Sequence, residues 1–188
     1  MVIDFYAQKK AQLSLRSYLK PGDLGQILYL HGSIYGRECG YDYTFEGYVA
    51  DTLSHFSRSY DLHQERLWLA EAEGRIVGSI GIIKNNSQRC QLRWFLVDPQ
   101  MRGRGLGRKL LSKAIKFSQN CGYESVFLQT MGELPVARHL YRSVGFVKTE
   151  ESKQIIWGQK VTHQFYELAL DNQQPETYTQ GDRAKVLR

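Results

Sequence analysis

Cysteine is sparse in this chain of 188 residues: Cys39, Cys90 and Cys121 are far apart, and no CxxC pair exists. An odd, dispersed set gives neither a disulfide framework nor a cysteine zinc site, and it suits a reducing, cytoplasmic setting. Long apolar runs are also missing. Nothing approaches the ~18 residues of a membrane span, and the first dozen residues (MVIDFYAQKKAQ) lack the apolar core of a secretory signal. There is no repeat, and no low-complexity block before the end. The five histidines, at positions 31, 55, 63, 139 and 163, form neither HxxxH nor HExxH, so no metal is expected.

Hydrophobic residues make up 42% and charged residues 23%, an ordinary globular mix. Lysine and arginine exceed aspartate and glutamate by 25 to 19, a formal charge of +6. That balance favours anionic partners without choosing among nucleic acid, phosphate cofactors and acidic surfaces. No helix-turn-helix, zinc-finger or RNA-binding pattern accompanies it, so nucleic acid is not expected.

Residues 11–18 alternate as a strand. Asp23 is placed to cap a helix over residues 24–36, and Thr44 a second one running towards residue 57. The period then changes. Residues 66–72 and 75–84 read as a hairpin around Glu73-Gly74, and residues 90–98 as a third strand ending at Pro99. A helix over 105–120, a strand over 125–130, a helix over 135–143 and strands over 146–156 and 161–170 complete the order. The pattern predicts an α/β (α+β) domain over residues 1–170. Its sheet is mixed, mostly antiparallel and six- to seven-stranded, with flanking helices and one right-handed parallel crossover over residues 90–130. Strands can splay at such a crossover, leaving a helix N-terminus facing the gap. Residues 171–188 read as a polar C-terminal tail.

Chemistry concentrates in residues 97–109, VDPQMRGRGLGRK. Gly103, Gly105 and Gly107 alternate at a helix start, where unpaired N–H groups already favour anions. Arg102, Arg104, Arg108 and Lys109 add four cations, a combination suited to a diphosphate. A Walker A loop is excluded because Lys109 is followed by Leu110. A GxGxxG loop is excluded because position 108 is Arg.

The spacing Arg102-x-x-Gly105-x-Gly107 resembles motif A of the GNAT acetyltransferase superfamily, whose coenzyme A loop reads [Q/R]-x-x-G-x-[G/A]. Residues 137–146, ARHLYRSVGF, resemble a second motif of that family, A-x-x-L-Y-x-x-x-G-F, at the expected separation. Residues 31–35, 40–42 and 44–46 resemble the first helices of GNAT domains fused behind MarR-type regulators, although too few residues precede the first strand for that DNA-binding domain. The resemblance covers about residues 12–170. It implies an N-acetyltransferase that moves an acetyl group from acetyl-CoA directly to a primary amine of a small molecule or peptide, as a monomer or homodimer. The alternative is a non-catalytic acyl-CoA sensor on the same fold.

The resemblance also distributes roles. Arg102, Gly103, Arg104, Gly105, Leu106, Gly107 and Arg108 would hold the diphosphate, and the backbone of Leu96 and Val97 the pantetheine arm. Tyr141 occupies the position that protonates the coenzyme A sulfur. Many relatives place a basic Glu on the fourth strand, but none lies between Cys90 and Val97. Glu38, Asp42 and Glu46 are the remaining candidates, and acidic residues there would suit a cationic amine. Tyr35, Tyr41, Tyr43 and Trp94 are candidates for the acceptor pocket. An Asn common three residues before Ala137 is Leu134 here, which removes one hydrogen bond to the cofactor arm.

Overall fold

Among the described residues, helices α1 (Asp23–Cys39) and α2 (Tyr43–Ser59) cover one face of a seven-stranded sheet, and α3 (Leu106–Asn120) and α4 (Pro135–Ser143) cover the other. The computed structural model describes residues 13–171. The proposed tail from residue 172 onward and the first two residues of the expected initial strand lie outside them. The strands are β1 (Ser14–Arg16), β2 (Arg66–Ala72), β3 (Arg75–Lys84), β4 (Arg89–Val97), β5 (Ser125–Met131), β6 (Val147–Ile156) and β7 (Gln159–Ala169), in the spatial order β1-β2-β3-β4-β5-β7-β6. Among the described residues, β4–β5 is the parallel pair, as the crossover requires.

Two amphipathic faces account for the layering. Leu106, Leu110, Leu111 and Ala114 of α3 close on Leu92, Val126 and Tyr166 of the sheet. Phe45, Val49, Leu53 and Phe56 of α2 close on Leu67, Leu69 and Trp94 from the opposite side. Burying a large apolar side chain is worth about 1.5–3 kcal/mol, so these recurring positions outweigh local propensity in fixing the helices.

The capping expectations were misplaced. Gly22, with φ 93°, precedes α1, and no side chain caps it. Asp23 is instead buried against Arg16, at 2.6 and 2.7 Å. The cap rule is local, and the partner that overrides it lies seven residues away on β1. Helix α2 is capped by Asp42, whose carboxylate accepts the Thr44 N–H at 2.9 Å. Thr44 therefore lies inside the helix, and Asp42 is committed to a structural bond.

The feature that makes the site is an irregularity in β4. Gly81 pairs with Arg93, yet Ser79 pairs with Leu96, so β4 carries one extra residue there. Trp94 sits in that bulge at φ 47°, which is unusual for a bulky side chain. Several contacts hold it. Its carbonyl accepts from Ser79 Oγ at 2.6 Å, its indole N–H donates to Thr52 Oγ1 at 3.1 Å, and its ring meets Phe56 edge-on at 5.2 Å. Gly81 is required beneath it, since a Cβ there would fall 2.6 Å from the indole.

The bulge exchanges the faces of the strand, as one inserted residue must. Cys90 and Leu92 face α3, Trp94 faces α2, and Phe95 and Val97 return to the α3 side. It also parts the sheet. β4 pairs with β5 from Arg89–Ser125 to Leu92–Leu128. Beyond that point β4 stays on β3 as far as Val97, and β5 stays on β7 as far as Met131. A wedge opens between them.

Candidate active site

The wedge leads into a cleft of about 930 Å³ that runs from the glycine loop, past α4, to the aromatic side chains of α1 and α2. At its start, Asp98 accepts from the Gln100 N–H, and a 3₁₀ turn over Pro99–Met101 delivers the chain to Arg102. Gly103 and Gly105 have φ 74° and 79°, and nothing lies within 4 Å of where their Cβ atoms would be. Their backbone demands glycine and their surroundings stay open, as a cradle for an anion needs. Gly107 serves differently: a Cβ there would press on Leu140 at 3.3 Å.

Arg102, Gly103, Gly105, Leu106, Gly107 and Arg108 all line the cleft, whereas exposed Arg104 does not. The Asp98 N–H donates to Val77 O at 2.9 Å. Alternation along the strand then points Leu96 at β3 and turns the backbone groups of Phe95 and Val97 into the wedge. Of the expected pair, Val97 faces the wedge, with its carbonyl accepting from Arg102, and Leu96 is spent on the sheet.

Tyr141 lines the cleft with 5% of its surface exposed, beside Phe95, Phe146 and Tyr166 at ring separations of 6.0, 5.9 and 6.4 Å. Burial, with a smaller contribution from Tyr35, holds its hydroxyl well above the ordinary phenol pKa. Tyr35 is pushed up to about 12, chiefly by burial. Both phenols are therefore protonated at neutral pH.

The acid candidates divide. Glu38 lines the cleft, and both its carboxylate oxygens lie 3.0 Å from Arg102 Nη1. Arg102 also donates from Nε to Val97 O at 3.0 Å, so this side chain ties the end of β4 to the end of α1. Exposed Glu46 folds over Gly32 of α1, where a Cβ would collide with it, and does not line the cleft. Of the aromatic candidates, Tyr35, Tyr41 and Trp94 line the cleft, while Tyr43 is 83% exposed and turned away. Leu134 reaches the cleft as an apolar wall beside α4.

Other lining residues were not singled out from the sequence. Glu133 follows β5 and accepts the Thr162 N–H at 3.0 Å. Trp157 stands in the β6–β7 turn at φ 52°, its carbonyl holding the Asp42 N–H at 3.0 Å. Arg93 closes the pocket beside Tyr48. His31 is buried, with Nδ1 2.8 Å from Ile27 O, and burial lowers its pKa to about 4. Glu133, Trp157 and Arg93 belong to no local motif and are brought in by chain-distant packing, whereas His31 is held within α1 by its own Ile27 carbonyl. Among the described residues, no group of three or more His, Cys, Asp or Glu side chains is arranged to hold a metal ion.

Residues 34–146 match the family model described as Acetyltransferase (GNAT) family. A Schizosaccharomyces pombe protein named as an uncharacterized N-acetyltransferase is 31% identical over 144 residues, covering 76% of this chain and 87% of the relative. Human N-acetyltransferase 8B is 33% identical over 99 residues, which covers 50% of this chain and 44% of the relative. The chain thus aligns with less than half the length of that human protein. Among solved structures, an acetyltransferase from Streptococcus agalactiae superposes with a TM-score of 0.68 at 21% identity, covering 84% of this chain and 98% of that one. A Salmonella typhimurium protein solved with its cofactor acetyl-CoA gives 0.64 at 19% identity, covering 89% and 99%. These two structures share the fold.

Proposed function

The chain belongs to the acetyltransferase (GNAT) family, and from that premise we propose that it moves an acetyl group from acetyl-CoA directly to a primary amine of a small molecule or peptide. The observation that carries the reading is the open glycine cradle at the N-terminus of α3, set at the mouth of a wedge whose wall ends in Tyr141. The residues fit the carrier. Free N–H groups of residues 103–108, with Arg102 and Arg108, suit a diphosphate. Inward-facing backbone groups of Phe95 and Val97 suit an extended amide-bearing arm. Bound there, acetyl-CoA supplies a thioester-activated acetyl group.

The chain's own residues do the rest. Val97 and Phe95 orient the arm and offer an N–H to a polarised carbonyl. The walls of Tyr35, Phe95 and Leu140 limit water. A neutral amine forms the new carbon–nitrogen bond as the carbon–sulfur bond breaks. The amine gives up one proton, and the sulfur receives one. Tyr141 holds its Oη proton throughout the neutral range and is the donor for that last transfer. Glu38 is the carboxylate placed to receive the amine proton through water, once Arg102 turns to the diphosphate. The free thiols of Cys39, Cys90 and Cys121 support a cytoplasmic setting; among the described residues no helix is long and apolar enough to cross a membrane.

The test is titration with acetyl-CoA, followed by thiol release against grouped amines. Tyr141→Phe should lower kcat at least about tenfold while leaving acetyl-CoA affinity within about threefold. Equal turnover by the variant would remove Tyr141 from the reaction. Binding without turnover on any amine would favour a sensor of acyl-CoA.

A further inference from the structure

Arg93 is the cleft-lining cation that neither the phosphate cradle nor an acid accounts for. Arg102 has Glu38, and Arg108 belongs to the glycine loop. Arg93, the last β4 residue before the bulge, forms no ion pair among the described residues. Its Nη2 donates to Tyr48 Oη at 2.7 Å, and its guanidinium lies 5.4 and 5.6 Å from the rings of Tyr48 and Trp94. One phenol uses one of five donors and offers no countercharge. The rings restrict the fork's orientation, so little further entropy is lost when an acceptor arrives.

The surroundings are built as well. Phe45, Tyr48 and Trp157 form an aromatic wall, with Trp157 4.8 and 5.5 Å from the other two rings. Trp157 is anchored by its carbonyl bond to the Asp42 N–H and by the Gln159 side-chain amide, which reaches Gly40 O at 2.9 Å. Tyr41, whose buried hydroxyl has no hydrogen-bond partner among the described residues, and Glu133 line the same cleft. The cleft therefore presents a guanidinium with no ion pair, an aromatic wall and the carboxylate of Glu133.

Building on the acetyltransferase reading, we infer that the acceptor is an amino carboxylate, an amino acid or short peptide with an apolar or aromatic side group, whose carboxylate is clamped by Arg93. A planar carboxylate takes two parallel N–H bonds from a guanidinium, a match that no neutral or purely cationic amine can make. The wall of Phe45, Tyr48 and Trp157 takes the apolar group, and Glu133 faces the ammonium end on entry.

The experiment compares matched pairs in the intact chain with saturating acetyl-CoA: L-phenylalanine against L-phenylalaninamide and phenethylamine, and glycyl-phenylalanine against its amide. The acids should exceed their carboxylate-free partners in kcat/KM by about tenfold or more, mostly through KM. Arg93→Gln should shrink that ratio to about threefold or less, and Arg93→Lys should restore part of it. Titration of each variant with acetyl-CoA shows whether the fold and cradle are intact. Amides or phenethylamine matching the acids, a ratio unmoved by Arg93→Gln, or turnover of carboxylate-free amines alone would each overturn the assignment while leaving the acetyltransferase reading in place. No acetyl-CoA binding at all would end both.

Discussion

At its N-terminal end α1 meets Arg16 through Asp23, and at its C-terminal end it meets Arg102 through Glu38. The first contact is enclosed. Arg16 and Asp23 are 8% and 3% exposed, Glu71 adds a 2.9 Å contact to the same guanidinium, and the Lys20 N–H reaches the Asp23 carboxylate at 2.5 Å. The second is open to water, with side chains 42% and 37% exposed. A buried charge that loses its partner cannot recover water, whereas an exposed one exchanges partners at little cost. One end of the helix is fixed to β1 and β2, and the other is held by a bond that a ligand can replace.

Breaking the fixed end has the largest expected effect. Asp23→Ala leaves Arg16 buried against half of its counter-charge and should destabilise the fold by about 3–5 kcal/mol in denaturant titration. Glu38→Ala should cost about 1 kcal/mol or less. Equal losses from the two substitutions would dissolve the distinction.

The same contrast explains what could be read from the chain. The elements over residues 66–72, 75–84 and 135–143 follow from local periodicity and turn chemistry, and they stand as expected. The cradle was legible because glycine positions, helix start and cations all lie within a few residues. The Trp94 bulge was not. Residues 90–93 alternate apolar and polar, but Trp94 to Val97 are all apolar and hide the change of face, so only the pairing with Gly81 and Ser79 reveals the extra residue. Asp23 looked like a cap because its partner lies on another element. Arg93, Glu133 and Trp157 become neighbours of one cleft only after β4, the end of β5 and the β6–β7 turn are brought together by the sheet.

His31, midway along α1, tests the stiffness of the part between the two ends. Its imidazole has an ordinary pKa near 6.5 when unfolded and about 4 when folded, because burial disfavours the charged form. Between those values the unfolded chain binds a proton that the folded chain does not. Stability therefore rises with pH through that window and is lost on acidification from 6.5 towards 4, by up to about 3 kcal/mol. Asp23 behaves differently. Burial alone would raise its pKa, but Arg16 and the Lys20 N–H hold it below 3.8, so its contribution fades only at lower pH. Denaturant midpoints measured from pH 7 to 4 should fall in the wild type and flatten in His31→Phe. The slope that remains belongs to His163, whose partial burial also lowers its pKa, and, towards pH 4, to Glu71 and Glu151, whose carboxyls are held below the ordinary value by hydrogen bonds to Arg16 and to Lys148 and Gln164.

The smallest expected effect has the most informative sign. Arg102 is shared between Glu38 and the Val97 carbonyl, beside the glycine loop where the proposed diphosphate would sit. Glu38 and the diphosphate then compete for one guanidinium. Glu38→Gln should tighten coenzyme A binding by a few-fold, about 1 kcal/mol or less, although it removes a residue that lines the site. Glu133→Gln, which removes an equal charge from the same cleft without touching Arg102, should change that affinity less. Calorimetric titration of both variants separates competition for Arg102 from general charge. Weaker binding by Glu38→Gln would mean that the pair holds Arg102 ready for the ligand and that the open end of α1 is as preorganised as the buried one.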